Sequence, residues 1–212
     1  MALRLDIDGV IVRDKLLLEH VKENCVRYVS AKLPECKSPR EVNALLYHKH
    51  GHTARGLQRA FQVDTSDFNS KVYDKPLLKH LSEVLSTPEF QKDAERVHKL
   101  THDGWKISLF TNSPWVWAYK VGLAISDTVS IRCPGNPVDS ALKPEIEAYM
   151  FSSDVMNVMV DDSLKNLQTA RYLTNWKVIH FTENPTHDSW CPQVTSIEEL
   201  CEILREDTFL LH

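Results

Sequence analysis

Nowhere in this sequence do hydrophobic residues approach the ~20 consecutive positions that a helix needs to cross a bilayer, so a helical membrane protein is excluded. Positive charge is not in excess either. With 25 Lys and Arg against 29 Asp and Glu the net charge is -4, so no overall basic field draws a polyanion, and nucleic acid is not an expected partner. Cysteine is sparse and unpatterned. Cys25, Cys36, Cys133, Cys191 and Cys201 are odd in number and form no CxxC pair, which argues against a disulfide scaffold or a zinc site and for reduced thiols inside a cell. No signal-peptide pattern precedes the first strand, and we expect a cytoplasmic protein. Internal repeats and low-complexity tracts are absent. What remains is ordinary globular usage over 212 residues, enough for one full core or a core with a small accessory domain.

The periodicity changes along the chain. Residues 2–6 read as a strand. From about Arg13 to His102 the pattern is helical and charged, with Leu16, Leu17, Val21, Cys25, Tyr28 and Val29 at helical spacing. Ser38, Pro39 and Glu41 predict a helix start with a capping box, Gly51 a turn before the helix GLQRAF, and Thr87-Pro88-Glu89 a helix to about Leu100. After Asp103-Gly104 strands and helices alternate. KISLF (106–110), TVSIR (128–132), VMNVMV (155–160) and KVIHF (177–181) read as strands. Helices are predicted near Pro114, from Lys143 through Phe151, over 163–173 and from about Ser196. Such alternation predicts an α/β fold, a parallel sheet covered on both faces, with about 80 helical residues inserted after the first strand.

Three of these strands end in polar residues: Asp6-Ile7-Asp8-Gly9 after the first, Thr111-Asn112-Ser113 after KISLF, and Asp161-Asp162 after VMNVMV. In open α/β sheets ligands sit beyond the carboxyl ends of the strands, so four carboxylates and a hydroxyl can gather at one rim, with Lys143 entering from a loop. Each piece has a plainer reading. Asp-x-Asp-Gly also marks calcium loops, but an EF-hand frame needs an acid at Arg4 and Glu at Lys15. Asp161-Asp162 can cap the helix at 163, and Lys143-Pro144 can be a solvated helix start. Together and in this order they suit phosphoryl transfer. One carboxylate attacks phosphorus, a second acid protonates the leaving oxygen, a cation offsets the acids, and a hydroxyl and a lysine hold the phosphoryl oxygens.

DIDGV, SLFT, LKPE and VMVDDSLKN resemble the four motifs of the haloacid dehalogenase-like (HAD) hydrolase superfamily, over residues 3 to about 181. The resemblance implies a Rossmann-like core (1–12 and 103–212) with a helical type-one cap (13–102) that seals the site and selects substrate. It implies Asp6 as nucleophile, Asp8 as general acid and base, and Thr111, Asn112 and Lys143 around the phosphate. Mg2+ would be held by Asp6, the backbone carbonyl of Asp8, and Asp161, with Asp162 in support. The expected activity is a phosphomonoesterase acting on a small-molecule phosphate ester.

Within the insertion, HGHTARGL followed by DTSDFNSKVYD resembles the cap of the pyrimidine 5'-nucleotidase-like branch. Gly51, His52, Thr53 and Arg55 are then candidates for contacting the leaving group, or else turn residues. Trp115 and Trp117 read as core, or as rings that stack on a base. Two other superfamily activities stay open, a phosphonatase using Lys15 or Lys22 as a Schiff-base amine and a sugar-phosphate mutase. A non-catalytic binding or regulatory module is the rival from another class.

Overall fold

A computed structural model of the chain describes residues 1–150 and 155–206. Six parallel strands form one sheet in the order β3-β2-β1-β4-β5-β6. They are β1 (Ala2–Leu5), β2 (Lys106–Phe110), β3 (Ser130–Arg132), β4 (Asn157–Asp161), β5 (Trp176–Phe181) and β6 (Gln193–Val194). The central strand β1 pairs Leu5 with Leu109 on β2 and with Val160 on β4. That register brings the ends of the three motif-bearing strands to one rim.

Side-chain alternation sends successive residues to opposite faces of a strand, and both faces are apolar. Leu3, Leu5, Leu109, Val158 and Val160 pack on one side, while Phe110, Met159 and Val178 join Tyr149, Leu167 and Trp176 on the other. On the first side lie α6 (Pro88–His102), α7 (Trp115–Ile125) and α9 (Ile197–Arg205); on the second lies α8 (Leu164–Arg171). The Rossmann-like α/β expectation is met. The insertion contributes α1 (Lys15–Lys32), α2 (Pro39–His50), α3 (Thr53–Phe61), α4 (Phe68–Val72) and α5 (Lys75–Leu85). Helix α6 lies against α7, α9 and β2.

Local signals hold unevenly. Asp14, Asp74 and Thr87 accept hydrogen bonds from backbone N–H groups in the first turns of α1, α5 and α6. Ser38 makes no side-chain cap bond, so the predicted capping box does not form. The helix expected after Lys143 is only a short 3-10 turn, Ile146–Tyr149, and Phe151, its expected end, lies outside the described residues. The two-residue strand β6 is too short to carry a periodic signal in the sequence.

Candidate active site

Asp6 leaves β1 still on the ladder, its N–H donating to the Val160 carbonyl at 2.9 Å. The chain then folds on itself. The amides of Val10, Ile11 and Val12 all return to the Ile7 carbonyl at 3.3, 3.0 and 2.8 Å, and Gly9 N–H donates to Val12 at 2.9 Å. Asp6 and Asp8 thus line the floor of one cleft. Gly9 has φ +87°, and a Cβ there would stand 2.4 Å from Asp162 Oδ2. Both the left-handed backbone and the approach of that carboxylate demand glycine. Gly9→Ala should cost roughly 1–3 kcal/mol of stability and displace Asp162, so melting temperature and turnover should fall together.

Lys143 is buried against two of the acids. Its Nζ lies 2.6 Å from Asp161 Oδ2 and 3.0 Å from Asp6 Oδ1. Burial works against the ammonium, but the two carboxylates outweigh it and hold the lysine above its ordinary value. Asp161, at the end of β4 and fully buried, also accepts from Ser163 N–H at 2.9 Å and from Asn166 Nδ2 at 3.0 Å. Asn112 faces the same loop: its Nδ2 donates to the Lys143 carbonyl at 2.8 Å and its Oδ1 accepts from Lys143 N–H at 2.9 Å. Its amide therefore holds the lysine's backbone. Thr111 is buried at the cleft, with Oγ1 accepting from Ser113 N–H at 3.0 Å.

Asp8 is oriented by two donors that lie outside the four motif segments. Ser113 Oγ donates to Oδ2 at 2.5 Å and the Trp117 indole N–H to Oδ1 at 3.0 Å. Tyr73, from the far end of α4, adds its hydroxyl 3.3 Å from Ser113 Oγ and sets its ring edge-on to Trp117. Burial raises the Asp8 carboxyl above the usual range, and these hydrogen bonds only partly offset it. Trp117 is thus a core residue with a polar task, while Trp115 is exposed and stacked on Tyr119 outside the cleft. Trp117→Phe keeps most of the volume but leaves a carboxylate oxygen without its donor, which costs ~1–3 kcal/mol at a buried site. We expect a lower melting temperature and slower turnover of esters with poor leaving groups, with activated aryl esters less affected.

One oxygen from each of Asp6, Asp161 and Asp162 lies within 4.8 Å of the others. These are hard oxygen donors of the kind Mg2+ binds alongside water and substrate phosphate. Four acids here face one buried ammonium. Burial lifts Asp6 well above the usual carboxylate range, with Asp161, Asp162 and Asp8 adding to it against the pull of Lys143. Asp162 is the exposed member of the cluster; desolvation by the surrounding cleft, and next the Asp161 charge, push its carboxyl up to about 7. The residues fit a small divalent cation. The Asp8 carboxylate stands outside this three-acid cluster, held by Ser113 and Trp117.

The cleft runs between this rim and the insertion, with a volume of about 600 Å3. Leu18, Val21, Val26, Ala44 and Phe68 give it an apolar wall. Gly51, His52 and Thr53 line it as well; Arg55 does not. His52 caps α3, its Nδ1 accepting from Ala54 N–H at 3.2 Å, and burial keeps the ring neutral with its pKa lowered to about 4. Thr53 Oγ1 donates to Asn43 Oδ1 at 2.7 Å. The expected contact of Arg55 with a leaving group is corrected here: the guanidinium is buried away from the cleft against residues 137–145. Lys15 pairs with Glu183, and Lys22 is exposed beside Glu19, so neither is the buried amine that Schiff-base chemistry favours.

No family model and no curated protein matches the chain. Solved structures do. A HAD phosphatase from Thermococcus onnurineus is 20% identical, with 96% of this chain and 97% of that one covered and a TM-score of 0.63. A phosphoserine phosphohydrolase-like protein from Francisella tularensis subsp. tularensis SCHU S4 is 15% identical over 96% and 99%, with a TM-score of 0.53. YfnB of Bacillus subtilis, in a form bound to magnesium, is 15% identical over 97% and 98%, with a TM-score of 0.51. At these identities the likeness shows a shared HAD-type fold along nearly the whole chain.

Proposed function

We propose that the protein is a Mg2+-dependent phosphomonoesterase working through an aspartyl-phosphate on Asp6, with pyrimidine nucleoside monophosphates as its preferred esters. The observation that carries the reading is the meeting of Asp6, Asp8, Thr111, Lys143, Asp161 and Asp162 at one rim, under a cleft of about 600 Å3.

Asp6 attacks phosphorus while Asp8, aligned by Ser113 and Trp117, gives its proton to the departing ester oxygen. The raised Asp8 carboxyl suits that task, because an acid must still hold its proton near working pH. In the second half Asp8 takes a proton from the water that attacks the phospho-aspartate. Lys143 and Thr111 hold the phosphoryl oxygens as charge shifts between them. Asp6, Asp161, Asp162 and the Asp8 carbonyl would hold the Mg2+, which when bound offsets the charge of carboxylates and phosphoryl group together. The magnesium-bound state of YfnB supports that choice of ion.

The nucleotide preference rests on the HGHTARGL resemblance and on His52, Thr53 and Asn43 in the cleft wall. A phosphate-release screen over nucleotides, sugar phosphates and simple alkyl phosphates with Mg2+ tests it. Thr53→Ala should lower kcat/KM for UMP or CMP about tenfold, the ~1.4 kcal/mol of one polar contact, and spare p-nitrophenyl phosphate. Wild-type protein inactive on UMP and CMP but active on another ester would remove the nucleotide preference and leave the phosphomonoesterase.

A further inference from the structure

The loop that carries Lys143 has almost no regular structure between β3 and the 3-10 turn, yet its lysine must sit within hydrogen-bond reach of two carboxylates. From the core side Asn112 grips the Lys143 backbone in both directions. From the insertion side Arg55 does more. It is 2% exposed. Nε donates to the Pro137 carbonyl at 3.1 Å, a second nitrogen donates to the Ser140 carbonyl, and Nη1 lies 2.5 Å from Glu145 Oε1. Glu145 in turn accepts from Leu142 N–H at 3.0 Å. Gly51, at the end of α2, sits so close that a Cβ would be 3.3 Å from the Lys143 carbonyl.

We propose that Arg55 is a positioning residue that latches the insertion to the Lys143 loop, so that the phosphate-binding lysine is in register only while the two are docked. This rests, for the task of Lys143, on the phosphomonoesterase reading above. A guanidinium forks to several partners at fixed angles, and here its carbonyl acceptors at 137 and 140 and its ion-pair partner at 145 lie on both sides of Lys143. A lysine at 55 would keep the charge and lose the fork. The latch predicts a pattern opposite to that of a leaving-group contact: losing it should hurt all esters alike, because the phosphoryl group is common to all of them.

The test compares Arg55→Lys, Arg55→Ala and Glu145→Gln with wild type. Amide hydrogen exchange over 137–145 should quicken about tenfold or more while β1 and β4 stay protected. In Glu145→Gln and Arg55→Lys, kcat should fall by the same factor on UMP and p-nitrophenyl phosphate, up to about 10²-fold for a misplaced group, and affinity for inorganic vanadate should fall with it. Should Arg55→Ala not fold, Glu145→Gln decides, since its amide keeps the volume and one acceptor. Unchanged exchange over 137–145 in Glu145→Gln, or a loss confined to UMP, overturns the latch. Wild type that neither turns over any ester nor binds vanadate overturns the phosphomonoesterase reading instead.

Discussion

Asp6→Asn should lower hydrolysis of the best ester by about 10⁴-fold or more, the scale at which removal of a covalent nucleophile acts. An amide cannot attack phosphorus, and it offers a weaker ligand in the three-carboxylate cluster. The same change should not unfold the protein. Asp6 sits among Asp8, Asp161 and Asp162, all of which raise its carboxyl, and Lys143 keeps its shorter contact, to Asp161 at 2.6 Å. In metal-free buffer the variant should melt no lower than wild type. Assaying phosphate release alongside thermal unfolding separates the two effects; near-normal turnover in a folded variant would sink the aspartyl-phosphate mechanism.

Chelation should abolish activity and Mg2+ should restore it, with Ca2+ a poor substitute because it takes more ligands at longer distances and would misplace the reacting oxygens. Full turnover in EDTA would leave Asp161 and Asp162 without their assigned task. The imbalance of charge should also appear in stability. Asp6, Asp8 and Asp162 have carboxyls raised in the fold. A raised acid binds its proton more tightly folded than unfolded, so its contribution is most favourable below the unfolded value near 3.9 and is lost as pH rises through the folded one. For Asp162 that window runs up to about 7. The gain in melting temperature of Asp162→Asn over wild type in EDTA should therefore grow from pH 4 to 7 and then level off, and saturating Mg2+ should shrink or reverse it. A difference independent of pH would show that Asp162 is not held against its charge.

Most of the core was legible because its signals are local. An apolar run that ends in an acid, repeated at β1 and β4, marks strand ends at a common rim, and strand–helix alternation implies the parallel sheet that makes the rim common. Asp6, Asp8 and Asp161 follow from that pattern, while Thr111 closes β2 and Lys143 comes in from a loop; the structure places all five at the rim. Ser113 lies two residues past Thr111, and nothing local to it points to its bond with Asp8.

What the sequence by itself determined, then, is the alternation of the longer strands and helices, the long insertion after β1, and which residue types meet at the strand ends. These follow from periodicity and chain direction, which act over a few residues. Tertiary structure alone decided the partners. Trp117 reads from the sequence as core or as a base-stacking ring, and only the packing of α7 beneath the Asp8 turn gives its indole N–H a carboxylate 109 positions away. Arg55 lies in a segment that resembles a substrate-contacting one, yet its acceptors sit more than eighty residues on, so its side chain turns from the cleft. Asn112 is claimed by the backbone of Lys143 in the same way. A buried polar group must find a partner wherever the fold supplies one, and spacing along the chain carries no record of which partner that is.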